Sequence, residues 1–217
     1  MIRAPGFWWT PPGAASAALA PLSALYGAVA GRRMRRAPRA PTGLPLICVG
    51  NFTLGGAGKT PTALALAEAA LARGLRPGFV TRGHGGQGAS ASVLVDPARD
   101  TAREVGDEAM LLAALAPCAA GPDRAKGARL LREYGCDLLI MDDGFQSARL
   151  RADLAVLVVD GRRGTGNNRV FPAGPLRSPL AVQLPHADAL VEIGEGAGAR
   201  EALRLRPDLG LHRADLE

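Results

Sequence analysis

Gly55-Gly56-Ala57-Gly58-Lys59-Thr60 packs three glycines, a lysine and a hydroxyl side chain into six consecutive positions. Glycines let successive backbone N–H groups turn toward one anion, and a helix starting just afterwards adds positive potential. Lys59 would supply a compact charge for β- and γ-phosphate oxygens, and the Thr60 hydroxyl is a hard oxygen donor suited to Mg2+. Thr53 departs from the usual phosphate-loop pattern, standing where a first glycine is expected. Only Lys59 and Lys126 are lysines among 26 basic residues. The ammonium therefore falls where a point charge is wanted in a chain that otherwise uses arginine.

The second feature is Met141-Asp142-Asp143-Gly144, at the end of an apolar run. A carboxylate at the C-terminal end of a buried strand beside a phosphate loop is placed to hold Mg2+. Two aspartates in a turn can equally be turn or helix-capping residues. A guanine-recognising Asn-Lys-x-Asp is absent, because neither lysine lies in such a sequence.

These groups need strands and helices to carry them, and the chain supplies an alternation of both. Leu46–Val49 is a short apolar run ending in Gly50, read as a buried strand. Thr60–Arg73 reads as an Ala/Leu helix closed by Gly74. Gly78–Thr81 reads as a strand followed by a glycine-rich loop over 83–88. Helices are expected at Asp107–Leu115 and Asp123–Tyr134, and strands at Leu138–Met141, Leu154–Val159 and over 187–193. The class is α/β of the P-loop NTPase type, a mainly parallel sheet with helices on both faces. We divide the chain into an N-terminal membrane-associating segment over 1–40, a P-loop kinase domain over 41–193 and, over 194–217, a tail without strong period or the start of a further C-terminal domain.

The N-terminal segment has its own chemistry. From Met1 to Ala67 there are seven basic residues and no acid, whereas the remaining 150 residues hold 19 basic and 20 acidic side chains. The net charge of +6 thus comes from the first third. A globally basic surface is missing, and nucleic acid is not the expected partner. Both tryptophans, Trp8 and Trp9, precede an uncharged stretch from Pro11 to Gly31, and Arg32-Arg33-Met34-Arg35-Arg36 follows it. That order is reversed for an export signal, and Pro21 with many Ala, Gly and Ser residues argues against a membrane span. Leu19, Leu22, Leu25, Tyr26 and Val29 recur at helical spacing. An amphipathic helix lying on an anionic membrane surface fits these parts, and a helix packed on its own domain is the alternative. On the first reading, deleting residues 1–31 should abolish surface binding and leave nucleotide affinity almost unchanged. Cys48, Cys118 and Cys136 sit apart in apolar runs, without metal-binding spacing, and read as buried thiols of a reducing compartment.

Taken in order, these segments resemble the tetraacyldisaccharide 4′-kinase family, the lipid A kinases. The resemblance is carried by Pro5-Gly6-Phe7-Trp8-Trp9, Leu25-Tyr26-Gly27, the run Val49-Gly50-Asn51-Phe52-Thr53-Leu54 through Thr60-Pro61, and Thr81-Arg82-Gly83-His84-Gly85-Gly86. Further segments are Val105-Gly106-Asp107-Glu108, Asp142-Asp143-Gly144-Phe145-Gln146, Asp160-Gly161-Arg162-Arg163-Gly164 and Pro172-Ala173-Gly174-Pro175-Leu176-Arg177. The family also lacks the first phosphate-loop glycine.

The resemblance implies transfer of the ATP γ-phosphate to the 4′-hydroxyl of a lipid A disaccharide 1-phosphate. It places the protein at the cytoplasmic face of the inner membrane, peripheral or monotopic, with no obligate protein partner. Thr53, Gly55, Gly56, Ala57, Gly58, Lys59 and Thr60 would hold ATP, and Thr60, Asp142 and Asp143 would hold Mg2+. Asp107 would deprotonate or orient the sugar hydroxyl, with Lys59 and Asp143 completing the catalytic set. Glu108, Arg124 and Arg177 would bind substrate. Without the family, the alternative for Asp107 is a helix-terminal acid, and for each arginine a surface ion pair. His84 stands where relatives more often carry Tyr, Ser147 where many carry His, and Ser178 where Glu is common. Relatives continue into a smaller C-terminal domain that closes over the nucleotide and supplies a histidine. A nucleotide-binding but catalytically impaired protein acting through a membrane or partner is the alternative function.

Overall fold

The computed structural model describes residues 4–36, 39–83, 91–147 and 149–215. A 3-10 turn at Gly6–Trp9 leads into helices α1 (Ala14–Ala18) and α2 (Ala20–Arg36). Strand β1 (Leu46–Gly50) is followed by α3 (Lys59–Leu71), β2 (Pro77–Thr81) and β3 (Val93–Leu94). Next come α4 (Ala102–Val105), α5 (Asp107–Ala113), β4 (Cys118–Ala120), α6 (Arg124–Tyr134) and β5 (Leu138–Asp142). The last elements are β6 (Leu154–Asp160), α7 (Leu180–Gln183), β7 (Ala189–Ile193), α8 (Arg200–Leu205) and β8 (Gly210–Ala214). The chain divides into two compact units that alternate along the sequence. One is Pro38–Gly50 with Lys59–Ala155; the other is Met1–Ala37, Asn51–Gly58 and Val156–Glu217.

In the first unit the strands run β3-β4-β2-β5-β1, parallel except where β3 pairs antiparallel with β4. Leu46, Val49, Phe79, Val80, Leu139 and Ile140 are fully buried, as continuous apolar strands require when both faces are covered. The register sets Val49 against Asp142, so the carboxylate falls at the C-terminal end of β5. Helix α3 buries Ala63, Ala67 and Ala70, small residues on one stripe that let its backbone approach the sheet closely. Asp123 caps α6 by accepting the Lys126 N–H at 3.0 Å, and Gly135 ends the helix in a left-handed conformation.

In the second unit β6, β7 and β8 form a parallel ladder from Val156 onward. Here the structure departs from the sequence reading. The segment from 194 onward, for which no element was expected, holds α8 after β7 and then β8, which extends the ladder from Ala189↔Gly210 to Ile193↔Ala214. Strand β8 is exposed along most of its length, so it needs no apolar alternation and gave no signal. Strand β4 was missed too: Cys118-Ala119-Ala120 is buried but has neither β-branched nor aromatic residues.

Helix α2 adds a packing face that the sequence reading did not single out. It packs through Ser23, Gly27, Gly31 and Met34, with Gly27 against Pro179 and Val170 and Gly31 against Val182. The apolar residues at helical spacing point outward, with Leu22 59%, Leu25 66% and Val29 63% exposed, so they are not the face by which the helix packs on its own unit. The helix therefore has two working faces, one of small residues and one of large apolar ones. Pro21 sits in its first turn, where a missing N–H costs nothing. Among the described residues no helix is long and apolar enough to cross a membrane.

Candidate active site

Helix α3 begins at Lys59, one residue earlier than the sequence reading placed it, so Lys59 and Thr60 occupy its first turn. There the Thr60 hydroxyl donates to Asp142 Oδ2 at 2.9 Å. Lys59 Nζ lies 3.8 Å from Asp143 Oδ1, with its side chain largely enclosed. Asp142 is 1% exposed, and its Oδ1 is buried without a hydrogen-bond partner. Burial pushes its carboxyl up to about 6; the Thr60 hydrogen bond works against this, and the charge of Glu108 adds to it. Glu108 is thus within electrostatic reach of Asp142, while Asp107, opening α5 after Gly106, is exposed.

A buried carboxylate oxygen without a donor, beside a threonine hydroxyl, offers an all-oxygen set suited to a hard cation such as Mg2+. Among the described residues no group of three or more His, Cys, Asp or Glu side chains converges on a metal position.

Asp143 adopts φ of 51°, a left-handed conformation that Asp tolerates better than most residues. Its carbonyl accepts from Arg124 Nη2 at 3.1 Å. Arg124 is 6% exposed; burial pulls its pKa down, the charge of Asp143 opposes that, and Arg82 and Arg149 reinforce it. The guanidinium is therefore engaged with the backbone of the carboxylate turn, which a sequence reading of Arg124 as a substrate ligand did not anticipate. Arg149 Nη1 in turn donates to the Pro122 carbonyl, two residues before Arg124. Cys48, buried in β1, has its thiol pushed up to about 12 by burial; Cys118 behaves likewise, and Cys136 is raised. All three stay protonated and inert.

The glycines of the phosphate loop belong to the second unit. Gly55 has φ of 104° and Gly58 φ of 86°. A side chain at Gly58 would also press within 3.3 Å of Ile193. Nothing lies near a side chain built on Gly56, and Ala57 is buried. Thr53 is 8% exposed and bridges antiparallel to Leu176, so its place in the motif is that of a small strand partner. Arg177 donates Nε–H to the Thr53 carbonyl at 2.8 Å and its own N–H to Phe52 at 2.9 Å. Like Arg124, it grips main chain. His84, Gly85 and Gly86 lie outside the described residues.

Parallel strands with a glycine-rich turn running into a helix, and an aspartate at the neighbouring strand end bonded to the helix's first-turn threonine, define a P-loop nucleotide-binding protein. The family model of tetraacyldisaccharide-1-phosphate 4′-kinase matches residues 15–213, and the chain belongs to that family. The tetraacyldisaccharide 4′-kinases of Brucella ovis and Brucella canis are each 57% identical to it over 202 residues, covering 93% of this chain. The chain spans 59% of the length of these curated relatives. The crystal structure of LpxK from Aquifex aeolicus in complex with ATP superposes with a TM-score of 0.72 and 32% identity, over 82% of this chain and 58% of that one. The GDP complex of the 54 kDa signal recognition particle protein of Aeropyrum pernix reaches a TM-score of 0.50 at 16% identity, over 95% of this chain and 51% of that one; it shows the shared fold.

Proposed function

We propose that this chain binds Mg-ATP and moves its γ-phosphate to the 4′-hydroxyl of a tetraacyldisaccharide 1-phosphate, a step of lipid A synthesis. The observation that carries this reading is the Thr60–Asp142 hydrogen bond with the second, unpartnered Asp142 oxygen beside it. Backbone N–H groups of Gly55–Gly58 receive the β- and γ-phosphates, and Lys59 leaves Asp143 to meet their charge. Thr60 and Asp142, with Asp143 adjacent, are the residues to hold Mg2+, which when bound would neutralise charge on the phosphate oxygens.

Phosphoryl transfer depends mainly on positioning and charge neutralisation. Asp107, exposed in the first turn of α5, takes the proton from the sugar hydroxyl as its oxygen bonds to the γ-phosphorus. The bond from that phosphorus to the β,γ-bridging oxygen breaks, and ADP leaves with the electron pair. Glu108 holds the acceptor beside Asp107. Arg124 and Arg177 contribute positive charge while fixing the backbone at Asp143 and Thr53.

The exposed Leu22, Leu25, Tyr26 and Val29, followed by Arg32, Arg33, Arg35 and Arg36, suit a helix resting on an anionic bilayer. Location at the cytoplasmic face of the inner membrane follows from where such an acceptor and ATP meet.

Product identification tests the reading. The acceptor incubated with Mg-ATP and the chain should gain the mass of one phosphate, and an acceptor lacking the 4′-hydroxyl should gain none. Phosphate appearing on the second acceptor, or on neither while ATP is hydrolysed, would overturn the assignment.

A further inference from the structure

The segment 165–178 connects two distant stretches of its unit by hydrogen bonds. At one end it grips the approach to the phosphate loop. Leu54 N–H donates to the Pro175 carbonyl at 2.8 Å, while Arg177 donates its N–H to Phe52 at 2.9 Å and Nε–H to Thr53 at 2.8 Å. Buried Gln183 adds a bond to the Phe52 carbonyl at 3.3 Å and one to Ser178 at 2.7 Å.

At the other end the same segment is fastened to the chain's N-terminus. Asn167 is the hub. Its N–H donates to the Trp8 carbonyl at 2.8 Å, and Nδ2 donates to Phe7 at 3.2 Å and Ala173 at 2.9 Å. Its Oδ1 accepts from the Arg169 N–H at 3.0 Å. Trp8 Nε1 returns a bond to the Pro172 carbonyl at 3.1 Å. Ser16 donates to Ala173 at 2.9 Å and Ser23 to Val170 at 2.6 Å. Phe171 stacks edge-on against both Trp8 and Tyr26, and Arg163 lies over the Trp9 ring at 5.2 Å. Gly166, with φ of 61°, passes so close to the Trp8 carbonyl that any Cβ would collide with it.

Because each of the bonds between the N-terminal segment and the loop has a main-chain group on at least one side, the N-terminal segment fixes the path of the loop's backbone. The loop's backbone in turn fixes Phe52–Leu54. We infer that Asn167 is a positioning residue for the phosphate loop, through which the seating of the N-terminal segment sets nucleotide affinity. This rests on the phosphate loop binding nucleotide, as proposed above. It reverses the expectation that residues 1–31 serve surface binding alone: removing them takes away Phe7, Trp8, Ser16 and Ser23, and nucleotide affinity falls with them.

Linkage makes the coupling reciprocal: nucleotide must stabilise the N-terminal fastening as much as the fastening helps nucleotide. In the 217-residue chain, MgADP should slow hydrogen exchange at the Asn167 amide and across 170–176. Asn167→Ala should raise the MgADP Kd about tenfold, and the single-bond variants Ser23→Ala and Trp8→Phe about two- to fivefold, each losing hydrogen bonds to carbonyls. The two milder variants keep the test available should Asn167→Ala fold poorly. Unchanged exchange on adding MgADP, or unchanged Kd in Ser23→Ala and Trp8→Phe, overturns the inference. Lys59→Ala separates it from the reading beneath. If the unsubstituted chain binds MgADP no more tightly than Lys59→Ala, both fall; if it binds tightly and the fastening variants match it, only the coupling falls.

Discussion

Around Asp142, side chains face side chains; around Asn167, side chains face main-chain carbonyls. The first arrangement is electrostatically unfinished, with a carboxylate oxygen buried and lacking a donor and a lysine resting near an aspartate at 3.8 Å. The second is closed on itself, with every polar atom of the Asn167 side chain engaged in a described hydrogen bond. An unfinished cluster keeps its charges available to a ligand and is destabilising until one arrives. A closed one fixes geometry and asks nothing of the ligand. Chemistry and positioning thus sit in different kinds of bonding.

Charge substitutions should strike the first region hardest. Lys59→Ala removes the point charge meant for the phosphates, and transfer should fall at least about 10³-fold with little change in melting temperature. A variant that retained most of its turnover would place the phosphates elsewhere. Asp107→Asn should cost about 10²–10⁴-fold in kcat while MgADP affinity holds, the range for a lost general base. If Asp107 only complements the α5 dipole, the melting temperature drops and kcat survives.

Asp142→Asn separates function from stability. A native carboxyl raised to about 6 from 3.8 binds more protons than its unfolded counterpart between those values. Stability therefore declines as pH climbs through that window, and the full penalty is present at pH 7. The shift corresponds to about 3 kcal/mol. Asn keeps the acceptor for Thr60 without the charge, so the variant should melt higher at pH 7, equal wild type near pH 4 and lose Mg2+-dependent nucleotide binding. A lower melting temperature at pH 7 would show that Asp142 is a stabilising residue. Leu25→Asp is the mildest case. The residue is exposed, so stability should move by less than about 0.5 kcal/mol, while binding to phosphatidylglycerol vesicles weakens. Undiminished vesicle binding would assign the outward face of α2 another role.

The same contrast explains what could be read from the sequence. The chemical groups were legible because their logic is local: Gly58, Lys59 and Thr60 are consecutive, and Asp142 ends a continuous apolar run that announces a strand covered on both faces. The parallel strands β1, β2, β5, β6 and β7 were legible for the same reason. The fastening was not. Asn167 meets Phe7 across 160 residues, and its partners are main-chain carbonyls and an N–H that no residue type marks. Arg124 and Arg177 were found as basic positions, but their carbonyl partners were invisible, and so was the positioning part of their role. Helix α2 yielded its apolar face and hid its packing face, because Ser23, Gly27 and Gly31 look inert until Pro179 and Val182 are brought against them. Strand β8 escaped because an exposed edge needs no pattern.

The most direct test of the account is transfer of labelled γ-phosphate from Mg-ATP to a tetraacyldisaccharide 1-phosphate in detergent micelles, comparing the unsubstituted chain with Lys59→Ala. The account predicts labelled lipid from the first and only background from the second. Equal labelling by both, or none from a chain that binds MgADP tightly, would contradict it.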